Sequence, residues 1–157
     1  GVRAANRGTA VHGIIERYLD NDLEYDKEVM PDVLSTFKDV QPILDKSISE
    51  ILGLEAPLYS KHLKLAGRVD CVGVFDSKLS IIDFKTSRKI KKKEWIHNYF
   101  AQASAYAIMF EERTGIPVPQ LVILIAVDNE QPQVFIEKRD DWTDLLFEAK
   151  KIYESRV

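Results

Sequence analysis

Two aspartates interrupt a segment that otherwise reads as a β-hairpin. Residues 67–89, GRVDCVGVFDSKLSIIDFKTSRK, hold two largely apolar runs separated by a polar pair, and each run has an aspartate in its middle. A two-residue turn at Asp76 and Ser77 would place Asp70 directly opposite Asp83, on one face of the hairpin. A four-residue loop keeps this register, whereas a three-residue loop breaks it.

The same register predicts that Arg68 lies opposite Lys85, on the face that carries the two acids. Two carboxylates ~5 Å apart repel each other by roughly 3 kcal/mol at an effective dielectric constant of about 20. One arrangement that compensates for this repulsion is a salt-bridged open sheet face, in which Arg68 and Lys85 neutralise Asp70 and Asp83. The other is a divalent cation held by hard oxygen ligands, for which Mg²⁺ or Mn²⁺ is favoured.

The residue between Asp83 and Lys85 favours the second arrangement. Phe84 would point to the opposite face, where an apolar ring anchors the strand to a helix. The sequence Asp-Phe-Lys therefore puts a carboxylate and an amine on one face, with a core anchor between them. A metal ion and an ammonium group can together surround a phosphate and a water molecule, which is what phosphodiester hydrolysis requires.

Two helices are predicted to precede the hairpin. Apolar residues at helical spacing predict a helix over residues 8–19, with Thr9 as its N-cap. A second helical pattern follows Pro31, and its apolar stripe extends as far as Ile51. Pro42 lies inside this pattern and is expected to break or kink the helix.

The rest of the chain predicts a sheet between helices. Strand patterns begin near Leu54, a long helix is expected over residues 94–114, and residues 120–128 form an apolar run typical of a central strand covered on both faces. Another strand follows, and Asp140 or Asp141 is expected to open a last helix that carries Ala149, Ile152 and Tyr153. This order predicts an α/β (α+β) fold with a mixed central sheet of about five strands flanked by helices.

Composition narrows the possible partners and compartments. The length of 157 residues fits a single domain over residues 1–157, and the net charge of −3 means that any site for a polyanion must be local. The single cysteine, Cys71, excludes an internal disulfide and fits a reducing, cytoplasmic compartment. The sequence contains no apolar stretch of transmembrane length and no signal peptide, so no membrane association is expected.

Five short motifs resemble the RecB-type branch of the PD-(D/E)XK nuclease superfamily, and they occur in that family's order. RGTAVH resembles its N-terminal helix motif, GRVD and IIDFKT resemble its two strand motifs, QASAY matches its Q-x-x-x-Y helix motif, and Glu55 matches an acidic position in the first strand. The hairpin is especially similar to that of the mitochondrial genome maintenance exonucleases and their phage relatives. The resemblance implies a restriction-endonuclease-like core, a phage-infected or bacterial cell as the source, or the mitochondrial matrix if a targeting segment was trimmed.

By this resemblance, His12, Asp70 and Asp83 hold one or two Mg²⁺ or Mn²⁺ ions, and the carbonyl of Phe84 is a further ligand. Lys85 would orient the attacking water and stabilise charge on the phosphate, so that Asp70, Asp83 and Lys85 form the catalytic set. A lone histidine on a helix more often bonds a backbone carbonyl, but the neighbouring acids and lysine favour the role of a ligand for His12.

Other residues are candidates for substrate binding. Gln102 and Tyr106 share a helix face and would hold the substrate phosphate or Lys85, although Tyr106 could equally be a core residue. Glu55 and Arg68 are two further candidates for substrate binding. Many RecB-type nucleases bind an iron–sulfur cluster through four cysteines, and a chain with one cysteine is not expected to hold one.

Residues 85–93, KTSRKIKKK, are rich in basic side chains and lead from the hairpin into the helix of Gln102. Such a run is usually a solvated loop, but here it would lie where a nucleic-acid backbone enters the site. Three aromatic residues that follow could stack bases, although at least one is expected in the core: Trp95, Tyr99 and Phe100. Arg3 and Arg7 would extend the same groove. The basic residues expected to contact the substrate are Arg88, Lys89, Lys91, Lys92 and Lys93.

These residues predict a metal-dependent deoxyribonuclease, and specifically an exonuclease that prefers single-stranded DNA or DNA ends in replication, repair or recombination. An endonuclease on the same site is the first alternative, because no sequence motif captures a strand end. A nucleic-acid-binding module with a decayed site is the second, and a scaffold domain that uses the hairpin face for protein contacts is the third. Strand polarity and oligomeric state are left open by the sequence.

Overall fold

The computed structural model describes the backbone of residues 2–155 and the side chains of residues 6–148, 150 and 151. The order of elements is two helices, three strands, a helix, two strands and a helix, as predicted, with short 3₁₀ turns before the last two helices. The helices are α1 (Val2–Leu19), α2 (Pro31–Ser47), α3 (His97–Thr114) and α4 (Thr143–Ser155). The strands are β1 (Ile48–Ser60), β2 (Leu65–Phe75), β3 (Lys78–Ser87), β4 (Gln120–Val127) and β5 (Gln133–Lys138).

The five strands form one mixed sheet in the order β1-β2-β3-β4-β5. Every neighbouring pair is antiparallel except β3 and β4, which are parallel because α3 crosses over between them. All eight residues of β4 are buried, as the apolar run predicts. The predicted α/β (α+β) class, with a mixed sheet between helices, is therefore confirmed.

Each face of the sheet is covered by its own hydrophobic cluster. The cluster on one face packs the sheet against α1 and α2, with Phe37 and Phe84 among its members. The cluster on the other face packs the sheet against α3 and α4, with Phe100 and Trp142 among its members. Phe84 therefore anchors β3 to the α1–α2 face, as predicted, and the side chains on either side of it point the other way.

The two N-terminal helices differ from the prediction in their limits. The first helix begins at Val2, so Thr9 lies inside it and is not an N-cap. The second helix continues through Pro42 and ends at Ser47, and Ile51 belongs to β1. A proline costs the helix one hydrogen bond, which the burial of the apolar stripe on both sides of Pro42 outweighs. The stripe continues into β1 because a bulged strand can keep apolar residues on one face at irregular spacing.

The C-terminal elements follow the prediction closely. Gly115 ends α3 in the left-handed conformation, with φ of 75°. A 3₁₀ turn over Arg139–Asp141 precedes α4, and Trp142 and Leu146 are buried as expected. The predicted contributions of Ala149, Ile152 and Tyr153 lie outside the described side chains. No helix among the described residues is both long enough and apolar enough to span a bilayer.

Candidate active site

The hairpin forms with the predicted turn. Asp76 and Ser77 both have positive φ, 47° and 71°, and Phe75 lies opposite Lys78. Two successive residues with positive φ are typical of a type I′ turn, whose twist matches that of the flanking strands. This turn sets the register that brings Asp70 and Asp83 to the same level of the two strands.

The ladder between β2 and β3 stops at the pair Cys71 and Ile82, one residue before the two aspartates. Beyond that pair, Asp70 Oδ2 accepts a hydrogen bond of 2.9 Å from the backbone N–H of Phe84. A side-chain carboxylate therefore replaces the backbone of β2 as the hydrogen-bond acceptor for β3. Since the N–H and C=O of one residue in a strand point to the same side, the Phe84 carbonyl also faces this opening. We call the opening between β2 and β3 at Asp70 and Asp83 the fork.

The fork changes the predicted position of Arg68. Because the ladder ends at Cys71, Arg68 has no partner in β3 and instead pairs with Pro57 of β1. Its neighbour Val69 packs into the α3–α4 cluster, so the exposed Arg68 side chain points to the opposite face. The predicted opposition of Arg68 and Lys85 is therefore wrong, and a salt bridge between Arg68 and the two acids does not explain them.

Strand β1 bends at the same level. Glu55 has φ of 46°, an unusual conformation for a residue with a side chain. Before it, Leu54 packs with the α1–α2 cluster, and after it, Ala56 packs with the α3–α4 cluster. The residues on either side of Asp70 change face in the same way. A conformation of this kind costs about 1–3 kcal/mol and persists where the surrounding structure demands it; here it turns the Glu55 carboxylate to the fork.

The cluster at the fork joins His12 to two acids. His12 Nε2 lies 2.5 Å from Glu55 Oε1 and 3.4 Å from Asp70 Oδ1. One ligand atom from each of these three residues lies within 4.8 Å of the others, the spacing of a possible metal site. The His12 ring meets Phe84 edge to face, with 6.3 Å between ring centroids, so the core anchor of β3 also orients the imidazole.

Close packing of α1 on β3 brings His12 to the fork. A Cβ atom on Gly8 would lie 2.8 Å from Thr86 Oγ1, so a glycine lets the helix approach the strand at this level. His12 follows Gly8 by four residues, about one helical turn, and lies on the same side of the helix. The two residues line an open cleft of about 520 Å³ that also contains Glu55, Phe84 and Lys85.

Asp83 and Lys85 form the second half of the site. Asp83 is 6% exposed, and its Oδ2 lies 3.0 Å from Lys85 Nζ. The contact is an ion pair, and Oδ2 has no well-aligned hydrogen-bond donor. Lys85 Nζ also lies 4.7 Å from the centroid of the Tyr99 ring. The buried Asp83 carboxylate is therefore compensated by the Lys85 ammonium.

The close approach of charged groups at the fork shifts the pKa values of Asp70 and Lys85. Burial, a hydrogen bond and charge repulsion from Asp83, and charge repulsion from Glu55 raise the pKa of Asp70 to about 9, although the Phe84 N–H opposes the rise. Burial alone would lower the pKa of Lys85, but the Asp83 carboxylate beside it raises that pKa, so the ammonium is charged at neutral pH. The acids and the imidazole fit a divalent cation, because such an ion would let both aspartates ionise.

Gln102 and Tyr106 lie on the α3 face that covers the fork. Gln102 is exposed, and its Nε2 lies 3.5 Å from the Tyr106 hydroxyl. Tyr106 is 9% exposed and packs over Gly67, where a Cβ atom would come within 2.9 Å of its ring. Burial and the nearby Asp83 and Asp70 charges raise the pKa of the Tyr106 phenol, so it stays protonated. Tyr106 is thus a core residue, and the role of Gln102 and Tyr106 in holding the substrate phosphate or Lys85 stays a prediction.

The basic run leaves the fork as a loop that is fixed at two points. The backbone N–H and C=O of Lys91 bond the side chain of Gln133, at 2.8 and 2.9 Å. Lys93 pairs with Glu137 of β5. In the part of the chain that the structure describes, no acidic group lies within ion-pair distance of Arg88, Lys89 or Lys92, and these three are exposed.

The Arg7 side chain makes polar contacts within the protein. It bonds Asp128 at 2.9 Å and Thr36 at 3.1 Å, and it lies 3.6 Å from Asp32. Its charge is therefore neutralised by two acids of the protein, which argues against the predicted role in a DNA groove. The Arg3 side chain lies outside the described residues.

Two features of the site were missed by sequence reasoning. Glu55 was expected at a strand end as a substrate contact, but it is a member of the cluster with His12 and Asp70. Tyr99 was expected as a base-stacking or core residue, but its ring lies under the Lys85 ammonium. The spacing of Asp83, Phe84 and Lys85 could not predict the contacts of Glu55 or Tyr99, because each of these contacts joins different helices and strands.

The fold and site together define a nuclease-type domain, and the comparisons with known proteins agree. The model of the PD-(D/E)XK nuclease superfamily matches residues 26–154, a range that includes Asp70, Asp83 and Lys85. The chain therefore belongs to the PD-(D/E)XK nuclease superfamily. Nucleases of this superfamily use divalent metal ions, and the cluster at the fork is the candidate site.

Two individual proteins resemble the chain over limited shares of their length. The CRISPR-associated exonuclease Cas4 of Aeropyrum pernix is 35% identical over 78 residues, which are 47% of this chain and 39% of that protein. A crystal structure from Eubacterium rectale, provisionally assigned as an exonuclease, superposes with a TM-score of 0.62 and 14% identity over 96% of this chain and 65% of that one. This chain thus spans less than two thirds of either protein, and the second likeness concerns the fold alone. The RecB-type branch stays a prediction.

Proposed function

We propose that this domain is a metal-dependent DNA exonuclease that hydrolyses phosphodiester bonds and prefers single-stranded DNA. One observation carries the proposal: the His12–Glu55–Asp70 cluster and the Asp83–Lys85 ion pair meet where one strand ladder ends. Five polar or charged groups converge there from a helix and three strands. A purely structural sheet end has no use for three crowded acids, whereas phosphoryl chemistry uses them together with a cation and an ammonium group.

The residues at the fork divide the chemistry between them. The carboxylates of Asp70, Asp83 and Glu55, the Nε2 of His12 and the Phe84 carbonyl would hold the ion, and hard oxygen donors favour Mg²⁺ or Mn²⁺. When bound, such an ion neutralises phosphate charge and lowers the pKa of water. The predicted roles of these residues as ligands are part of the proposal.

Lys85 is placed to act on the phosphate. Its ammonium is charged at neutral pH, is half-buried, and is held between Asp83 Oδ2 and the face of Tyr99. A fixed ammonium of this kind can donate hydrogen bonds to a phosphate oxygen and to the attacking water without reorganising. Asp83 thus orients Lys85, and Lys85 stabilises the charge that develops during hydrolysis.

DNA as substrate is supported by the superfamily and by the loop that follows β3. Arg88, Lys89 and Lys92 expose their charges in the loop that follows β3, in a protein whose net charge is −3. Basic side chains next to an acidic metal site are the arrangement that a polyanion requires, because the acids alone would repel it. Lys91 and Lys93 belong to the same predicted set, although Lys93 shares its charge with Glu137.

The test is a comparison of labelled DNA substrates with Mg²⁺, with Mn²⁺ and with chelator. We expect end-labelled linear single strands to be degraded, circular single strands of the same length to persist, and linear duplexes to be degraded more slowly. Asp83→Asn prepared in parallel controls for contaminating nucleases. Equal cleavage of circles and linear strands would show an endonuclease, and inertness of every substrate with both metals would overturn the proposal.

A further inference from the structure

An exposed tryptophan ends the 3₁₀ turn Lys93–Trp95, which lies between β3 and α3. Trp95 is 61% exposed, whereas its neighbour Ile96 is buried. The backbone N–H of Trp95 donates a hydrogen bond to the Lys92 carbonyl at 3.0 Å. The backbone N–H of Ile96 donates to the Lys93 carbonyl at 3.1 Å. The turn is therefore held at its backbone and by the buried side chain, and the exposure of the indole is a property of an ordered segment.

One face of the indole carries a cation. Lys92 Nζ lies 5.4 Å from the ring centroid of Trp95. No aromatic ring among the described side chains packs against Trp95. In the same loop, Ile90 is 46% exposed. An open aromatic face flanked by basic groups is the combination that binds unpaired bases, because the ring stacks on the base and the cations neutralise the backbone.

The indole is close to the catalytic lysine along the chain. Tyr99, whose ring lies under Lys85, follows Trp95 by four residues. Four residues advance the backbone by about 6 Å along an α-helix and by about 8 Å along a 3₁₀ helix. Stacked nucleotides advance about 3.4 Å each along one strand. A base on Trp95 would therefore lie within a few nucleotides of a phosphate at Lys85.

We infer that Trp95 is a stacking platform for one unpaired base, a few nucleotides from the scissile phosphate, and that it gives the site its preference for single strands. A base in a duplex is paired and stacked on its neighbours, so it can reach the indole only after it has been separated from them. The inference rests on the proposed function for the scissile phosphate, but stacking itself is measurable without cleavage.

The chain offers a direct reporter of this contact. It contains two tryptophans, and the second, Trp142, is 9% exposed with a ring nitrogen that has no hydrogen-bond partner. Trp142→Phe therefore loses no hydrogen bond and leaves Trp95 as the single indole. In this background, with Ca²⁺ in place of Mg²⁺ so that DNA is not cleaved, we expect a thymidine oligomer to quench tryptophan fluorescence and a blunt duplex of equal length to quench it much less.

A matched pair of variants separates stacking from nonspecific surface effects. Trp95→Ala should weaken binding of the oligomer by about 5- to 150-fold, the range for loss of one base–aromatic stack. Trp95→Phe should restore part of the affinity. Tyr59→Ala is the control, because Tyr59 is also exposed and stacks on Arg113, with 3.8 Å between Arg113 Cζ and the ring centroid. It lies near the other end of α3, a helix about 27 Å long, and its loss should leave binding unchanged.

An abasic scan locates the contact. A single abasic residue, moved along the oligomer, should weaken binding at one position in the wild type and at none in Trp95→Ala. Absence of quenching, or equal affinity of Trp95→Ala and the wild type, would overturn the inference even if the wild type cleaves DNA. If the wild type cleaves no DNA but quenching and the abasic position are observed, the proposed function fails and the stacking site stands.

Discussion

The two ends of the β2–β3 pair behave in opposite ways, although the same two strands form both. At the hairpin end, the ladder is complete, the turn is tight, and Phe75 is 1% exposed in the core. At the fork, pairing stops, a carboxylate bonds the freed backbone, and an acid oxygen is buried without a hydrogen bond. The hairpin end contributes stability, whereas the fork gives up stability to hold polar groups close together.

The difference shows how a strand ladder can be converted into a site. Once pairing ends at Cys71 and Ile82, the backbone groups of Phe84 face an opening, and side chains from α1 and β1 can enter it. Polar groups at the fork should therefore control chemistry and apolar groups at the hairpin end should control folding. The predictions below test this separation.

The largest effect is expected from removing one charge at the fork. Asp83→Asn should abolish metal-dependent cleavage, because it removes a proposed metal ligand and the partner of Lys85. Thermal stability without metal should be raised at pH values above about 9, where both acids are ionised, since the substitution removes the repulsion between them. The matched control is Asp76→Asn, the same change at the exposed turn, where asparagine tolerates the positive φ. Loss of the circular dichroism signal in Asp83→Asn would mean that the acid has a structural role instead.

The reverse experiment weakens the hairpin end. Phe75→Ala should lower the free energy of unfolding by about 3–5 kcal/mol, the usual cost of deleting a buried phenyl ring. Cleavage per folded molecule should be unchanged, because Phe75 lies at the far end of the ladder from the fork. Urea denaturation and single-turnover rates measure the two quantities. A specific rate that falls in proportion to stability would mean that the two ends are mechanically coupled.

Lys85 is expected to matter for catalysis with little effect on folding. Lys85→Ala should reduce the rate by about 10²–10³, the typical loss for one preorganised charge-stabilising group, while metal-dependent stabilisation persists. Lys78→Ala, an exposed lysine at the hairpin end of the same strand, is the control. Near-normal turnover in Lys85→Ala would remove this residue from the mechanism.

Metal ions should stabilise the folded protein only through binding at the fork. At 100 times the dissociation constant, a ligand that binds only the folded protein adds about 2.7 kcal/mol to the free energy of unfolding. We expect this gain with Mg²⁺ or Mn²⁺ in the wild type and in Phe75→Ala, and its loss in Asp83→Asn. A melting temperature that ignores both ions at millimolar concentration would argue strongly against a metal site.

The smallest effect is expected for a change of one pH unit in the metal-free protein. The pKa of Asp70 rises from 3.8 to about 9 on folding, so between these values the folded state binds a proton that the unfolded state lacks. Stability without metal should therefore fall as pH increases from about 4 to 9, by at most about 1.4 kcal/mol per pH unit. Asp70→Asn should flatten this slope. Denaturation in chelator at several pH values is the measurement, and equal slopes in the two proteins would contradict the shift.

The local chemistry of the hairpin could be predicted from the sequence alone. Alternation and a two-residue turn determined the register of the hairpin from Phe75–Lys78 to Cys71–Ile82 and the inward position of Phe84, because both depend only on the period of a strand. The order of elements and the buried β4 followed from apolar patterns in the same way. The motifs also sufficed to identify the superfamily.

The tertiary structure decided which groups meet at the fork. The end of the ladder separated Arg68 from Lys85, the bend at Glu55 turned an acid toward His12, and α3 placed Tyr99 under the lysine. Each of these contacts joins elements that are distant in sequence, and neither periodicity nor turn chemistry depends on such distances. The sequence determined which side chains share a strand face, but only the packing of helices and bent strands determined how those faces converge.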